Sequence, residues 1–95
     1  MTIGDSVSAH SSVLNNAYLT IQPGAGAEWM IQNLYFGGSW NLFRTDGSNT
    51  ILITTGTGAG SLQNRDMICT NGIYYTIQNV SGGTVYMGYD GFVIK

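Results

Sequence analysis

The stretch Ala27-Glu28-Trp29-Met30-Ile31-Gln32-Asn33-Leu34-Tyr35-Phe36 decides the fold. It is the longest run in the chain that can form a strand. Successive side chains of a strand point to opposite sides. Trp29, Ile31 and Asn33 therefore share one face, and Met30, Gln32 and Leu34 the other. The first face, with Trp29 and Ile31, is the natural core. The second carries Met30, Leu34 and Phe36 and is no clean solvent face. A strand apolar on both sides is central in a sandwich or is covered by something else.

Working outward, Tyr18 to Gln22 reads as a strand stopped by Pro23, which cannot donate to a ladder. Gly24-Ala25-Gly26 joins it to the central strand, which ends at Gly37-Gly38. Trp40 to Thr45 alternates Trp40, Leu42 and Arg44 against Asn41 and Phe43. Asp46-Gly47-Ser48-Asn49 is a tight hairpin turn into Thr50 to Thr55, a strand rich in β-branched residues. A glycine-rich loop, Gly56 to Gly60, leads to a weaker strand within Gln63 to Thr70. Asn71-Gly72 is the strongest two-residue hairpin signal in the chain. Ile73 to Asn79 places Ile73, Tyr75 and Ile77 inward, and Thr84 to Tyr89 places Val85, Met87 and Tyr89 inward with Tyr86 outward. Asp90-Gly91 reads as a turn before a last strand, Phe92 to Ile94. Tyr18 to Gln22 and Tyr74 to Gln78 are alike, but shared hairpin grammar accounts for this as well as duplication does.

No window has helical periodicity, and turn signals recur about every 8–12 residues. The expected fold class is all-β: a small antiparallel β-sandwich, jelly-roll-like or a flattened barrel, of seven or eight short strands. Its expected core is Trp29, Ile31, Leu42, Ile53, Ile77 and Val85. The polar run of residues 1–16 reads as an N-terminal arm, either loose or ordered against a neighbouring subunit, and residues 17–95 as the single β domain.

The chain has 95 residues, enough for one small domain that buries roughly 60–65 % of its unfolded surface. Only 8 % of them are charged while 43 % are hydrophobic, so solubility rests on Ser, Thr, Asn and Gln. The net charge is −2, and Arg44, Arg65 and Lys95 are too few and too scattered for nucleic acid or for a polybasic membrane site. Cys69 is alone, so no internal disulfide forms. No apolar run approaches the roughly 20 residues that cross a bilayer. The start of the chain lacks the pattern of a secretory leader.

Catalytic chemistry is not expected. The lone histidine, His10, lies in the polar run with no orienting carboxylate or nucleophile beside it. Cys69 reads as a small half-buried residue. Asp46 and Asp90 precede glycines and read as turn caps. A glycosidase pair among Asp5, Glu28 and Asp66 would need a deep cleft. Metal-ligand spacings are missing, and the glycine loops lack the Lys and the following helix of a phosphate site. No cofactor is expected. The outward aromatic and apolar side chains remain: Met30, Leu34, Phe36, Phe43, Tyr74 and Tyr86, with Leu52. Either the two sheets divide them as core, or part of the set is an exposed patch for a subunit or capsid interface, or it is a sugar-stacking surface.

The run Tyr18 to Tyr35 resembles a phrase found in small virion-associated β-sandwich proteins of tailed bacteriophages. Leu42 to Gly47, Ile73 to Gly82 and Gly88 to Gly91 are similar to later parts of the same pattern, so the likeness covers Tyr18 to Gly91. It consists of strands and turns and carries over no binding residue. It implies a structural virion protein of capsid decoration (cement) type. Such a protein binds the phage major capsid protein on the outer capsid surface as a homo-oligomer, with a trimer as the first expectation, and is made in the host cytoplasm. The alternative is a carbohydrate-binding or host-adhesion module of a phage fibre.

Overall fold

A computed structural model describes residues 2–95. The fold is all-β, and the described residues form nine strands in two antiparallel sheets. They are β1 (Ser6–Val13), β2 (Tyr18–Ile21), β3 (Glu28–Phe36), β4 (Trp40–Thr45), β5 (Thr50–Gly56), β6 (Gly60–Leu62), β7 (Met67–Thr70), β8 (Tyr74–Asn79) and β9 (Val85–Val93). The five-stranded sheet runs β1-β9-β3, with β6 and β7 end to end along the far edge of β3. The four-stranded sheet runs β2-β8-β4-β5. The core lies between them. Val7, Val13, Ile31, Leu34, Phe36, Cys69, Met87, Tyr89 and Val93 come from the first sheet, and Ile21, Trp40, Leu42 and Ile77 from the second.

The quoted stretch forms β3, in the middle of its sheet as expected. Its faces are not those of simple alternation. The register against β9 shifts between Ile31 and Asn33, so β3 carries one extra residue, Gln32. Such a bulge reverses the phase of everything beyond it. Trp29 and Ile31 face inward before it, and Leu34 and Phe36 face inward after it. Without the extra residue, Asn33 would enter the core and two large apolar side chains would leave it. Burying Leu34 and Phe36 stabilises the fold by about 1.5–3 kcal/mol each.

Three features hold the bulge. Gly91 lies opposite Ile31, where an added Cβ would collide with the Met30 carbonyl oxygen and the Ile31 Cα. The Gln32 carbonyl accepts a hydrogen bond from the Arg65 backbone N–H at 2.8 Å. The Asn33 side-chain oxygen accepts one from the Asn64 N–H at 3.2 Å. The β6–β7 connection is thereby tied to the bulge.

Asp90-Gly91 is therefore no turn. It lies inside β9, which runs unbroken where two strands were expected. Residues 6–13, expected within an arm, are instead edge strand β1, paired with β9 from Ser6↔Phe92 to Val13↔Val85. Val7, Ala9 and Val13 point inward between serines, an alternation too dilute in apolar residues to stand out. The expected strand within Gln63–Thr70 is the shorter β7, and β6 precedes it. Asn71-Gly72 does form a tight turn, with the Thr70 N–H bonded to the Ile73 carbonyl at 2.7 Å. The strands it joins go to different sheets: β7 pairs with β3, and β8 with β2 and β4. Among the described residues, β4 and β5 are the sole consecutive strands that pair with each other. Their turn is as read, with the Asp46 carboxylate accepting from the Ser48 and Asn49 N–H groups at 2.9 and 2.7 Å. These bonds favour the charged form and hold that carboxyl below its usual range.

Two contacts lock the layers together. The Phe36 and Trp40 rings, from opposite sheets, stack with centroids 3.9 Å apart and planes 8° from parallel. Asn79 is fully buried. Its amide donates to the Val13 and Gly83 carbonyls, each at 2.7 Å, and its oxygen accepts from the Ser81 N–H at 2.9 Å. One side chain thus ties the end of β1 to the β8–β9 turn with its principal polar groups satisfied.

Of the expected core, Ile31, Leu42 and Ile77 are buried, and Trp29 and Val85 are half-buried against it. Ile53 is 49 % exposed and is no core residue. β5 is an edge strand bulged at Ile53, and a cleft separates Ile53 from Leu62 and Met67 of the other sheet.

Candidate functional site

The fold distributes the six expected interface residues among three places. Leu34 and Phe36 are 0 % and 4 % exposed, so the bulge removes both from any outer surface. Met30 and Tyr86 lie on the outer face of the five-stranded sheet, Tyr86 being 71 % exposed. Phe43 and Tyr74 lie half-buried on the outer face of the four-stranded sheet. The six do not form one patch, because those two faces are on opposite sides of the sandwich.

The outer face of the four-stranded sheet holds a shallow depression of about 340 Å³. Its aromatic members are Tyr18, Phe43 and Tyr74, one each from β2, β4 and β8, and its hydroxyls come from Thr20, Thr45, Thr50 and Thr76. Strand alternation builds it. Tyr18 and Thr20 are two apart on β2, Tyr74 and Thr76 on β8, and Phe43 and Thr45 on β4. The register sets Thr20 opposite Thr76, and Thr76 opposite Phe43. The Tyr18 and Phe43 rings meet with centroids 6.1 Å apart and planes tilted by 55°.

A second surface is the open side of the sandwich, where β5 and the β6–β7 edge face each other without pairing. Ile51, Leu52 and Ile53 are 62 %, 50 % and 49 % exposed, three consecutive apolar residues on a free edge. A cleft of about 280 Å³ enters between the sheets here, lined by Leu42, Ile53 and Thr54 on one wall and Leu62, Arg65 and Met67 on the other. The β4–β5 register shifts between Thr54 and Leu52, so Ile53 is bulged. A bulged edge is a poor template for adding another strand.

The third feature is a polar cluster on the outer face of the five-stranded sheet. Asp90 accepts hydrogen bonds from the Asn33 amide at 2.7 Å and the Tyr35 hydroxyl at 2.6 Å, one on each carboxylate oxygen. The bond to Asp90 is the main cause of a raised Tyr35 pKa, with burial and the Asp90 charge adding to it, so the phenol keeps its proton. The His10 ring lies over Gly88, with its centroid 5.9 Å from that of Tyr35. The carboxylate, the natural base of this cluster, has a donor on each oxygen already. On the inner side, burial pushes the Cys69 thiol up to about 11, which suppresses the nucleophilic thiolate. Among the described residues no group of three or more His, Cys, Asp or Glu side chains could hold a metal ion.

Sequence reasoning missed Tyr18, Thr20 and Thr76 as members of one surface. The alternation of β8 already turned Thr76 outward, no face was assigned to Tyr18 or Thr20, and their convergence with Phe43 depends on strand order. It also assigned Ile53 to the core, although Ile51-Leu52-Ile53 is apolar without alternation, a pattern that fits an edge open on both sides.

The chain matches no family model, and no curated protein matches it.

Proposed function

We propose that the protein is a structural virion component of a tailed bacteriophage, a capsid decoration protein that works through protein–protein contacts as a homo-oligomer. The observation that carries this reading is the open, apolar side of the sandwich at Ile51, Leu52 and Ile53. Apolar surface of this kind in a small domain marks an interaction site. A neighbouring subunit that packs along β5 and into the cleft beside Ile53 removes this surface from water at about 25 cal/mol per Å². The cleft beside Ile53 has Arg65 as its one charged lining residue, as the charge-poor centres of interfaces would have it, while Arg44 and Asp46 stand beside Ile51 at the rim. The pattern from Tyr18 to Gly91 supports the virion assignment and makes a trimer the first expectation. The reading includes no catalytic step and no cofactor.

Mixing the purified protein with capsids assembled from the phage's own major capsid protein tests it. Saturable co-sedimentation, at a stoichiometry matching one class of symmetry axis, is the expected result. A protein that stays in the supernatant at every capsid concentration contradicts it.

A further inference from the structure

We propose that the outer face of the four-stranded sheet is a binding site for a neutral hexopyranoside, such as the terminal sugar of a cell-surface glycan. Its lining residues are not those of the proposed association, with Leu52 of that surface lying opposite Phe43 at its border.

The argument begins with the layout of the depression. Tyr18, Tyr74 and Phe43 stand on three adjacent strands at three different levels of the register, so that they surround Thr76 and do not form a row. The Tyr18 and Phe43 rings meet at 55° with centroids 6.1 Å apart, and together they make one continuous aromatic surface at the side of the depression. Tyr18 is 54 % exposed, so its ring is available to a ligand. Level with Phe43 lies the directly opposed pair Thr20 and Thr76. Beside it, the Thr45 oxygen accepts from the Gly47 N–H at 3.1 Å and lies 3.1 Å from the Thr50 hydroxyl. Thr45 is itself buried, and these contacts fix the Thr50 hydroxyl at the border of the depression.

The chemistry of this lining selects its ligand. No acid, Lys, Arg or His contributes to it. A charged ligand would lose hydration there and gain no opposite charge. A purely hydrocarbon ligand would cover hydroxyls and leave them without partners. A pyranose avoids both penalties. One face presents C–H groups that pack on an aromatic ring, and its edge carries hydroxyls that both donate and accept, as threonine hydroxyls do. The volume, about 340 Å³, is at the small end of ligand sites, which run from roughly 300 to 1,000 Å³. Tyr and Phe also lose little rotamer freedom on binding. Because the depression is shallow, a single site binds weakly. A homo-oligomer would present several sites at once and gain avidity.

The test is a titration of isotope-labelled protein, followed by amide NMR shifts, with the methyl glycosides of glucose, galactose, mannose and N-acetylglucosamine. At least one should shift the Thr20, Phe43 and Thr76 amides saturably. Tyr18→Ala should weaken that binding about five- to tenfold, the loss of one aromatic contact. Thr76→Val, nearly the same shape without the hydroxyl, should weaken it several-fold. Both variants should keep the dispersed spectrum and oligomeric state of the wild type, which separates lost binding from lost fold or assembly. No saturable shift with any of the four sugars, shifts that Tyr18→Ala leaves unchanged, or a response at this face to glucuronate but not to the neutral sugars would each overturn the proposal.

Discussion

Gly91 lies directly opposite Ile31 at the point where β3 carries one residue more than β9, and the backbones approach so closely that no side chain fits there. This contact sets the phase of the whole second half of β3. Gly91→Ala would force a methyl group against the Met30 carbonyl oxygen. Its expected effect is a loss of about 1–3 kcal/mol or more, the usual range for overpacking. Urea unfolding read by tryptophan fluorescence measures it. An unchanged midpoint and slope would mean that the bulge tolerates a side chain.

The bulge also predicts a contrast between two aromatic residues on the same pair of strands. Phe36 is in the core against Trp40, whereas Tyr86 stands in solvent. Phe36→Ala should cost about 3–5 kcal/mol. Tyr86→Ala should stay within about 0.5 kcal/mol of wild type. Thermal melts of the two variants side by side decide it, and equal losses would restore simple alternation along β3.

Asn79 makes three hydrogen bonds from a fully buried position. Asn79→Ala leaves the Val13 and Gly83 carbonyls and the Ser81 N–H without this partner, at about 1–3 kcal/mol for each group that stays dry. Hydrogen exchange should also quicken at the β1–β9 pairing near Val13. A variant as stable as wild type, with unchanged exchange there, would show that water replaces the side chain without cost.

Alkaline pH should destabilise the fold. Burial raises the Cys69 thiol to about 11, against an ordinary value of about 8.5 in an unfolded chain. Burial also raises Tyr89. A buried acid with a raised pKa favours its neutral form in the native state. Its contribution is therefore intact below the unfolded pKa and is lost as pH rises toward the folded one. Urea midpoints should hold up to about pH 8 and fall between about pH 8.5 and 11. Cys69→Ala should flatten part of that fall, and the native thiol should react slowly with iodoacetamide at neutral pH. A midpoint that rises across this window has the wrong sign for buried neutral groups.

Strand positions followed from turn chemistry and β-branched runs, because both are local. What was not legible was relational. Gln32 is an extra residue solely with respect to β9, so nothing in β3 by itself announces the phase change. β1 escaped notice because Val7, Ala9 and Val13 are its sole inward apolar residues. Asn71-Gly72 makes the turn that its residues favour, yet the partners of β7 and β8 lie in different sheets. At the surface, Phe43, Tyr74 and Tyr86 were recognisable as outward one by one, Phe36 was wrongly placed with them, and only strand order brings Tyr18, Tyr74 and Phe43 to one face. The exposure of Ile51-Leu52-Ile53 likewise depends on β5 being an edge with no strand closing the sandwich beside it.

The claim that this open side is where the protein meets its own copies is tested most directly by sedimentation equilibrium. The wild type should be an oligomer, with the trimer as the first expectation, at micromolar concentration. Ile51→Thr/Ile53→Thr keeps the β-branched shape and removes apolar surface. It should sediment as a folded monomer with a melting temperature near that of a wild-type monomer. A wild type that is monomeric at high micromolar concentration, or a double variant that stays fully oligomeric, would contradict the account.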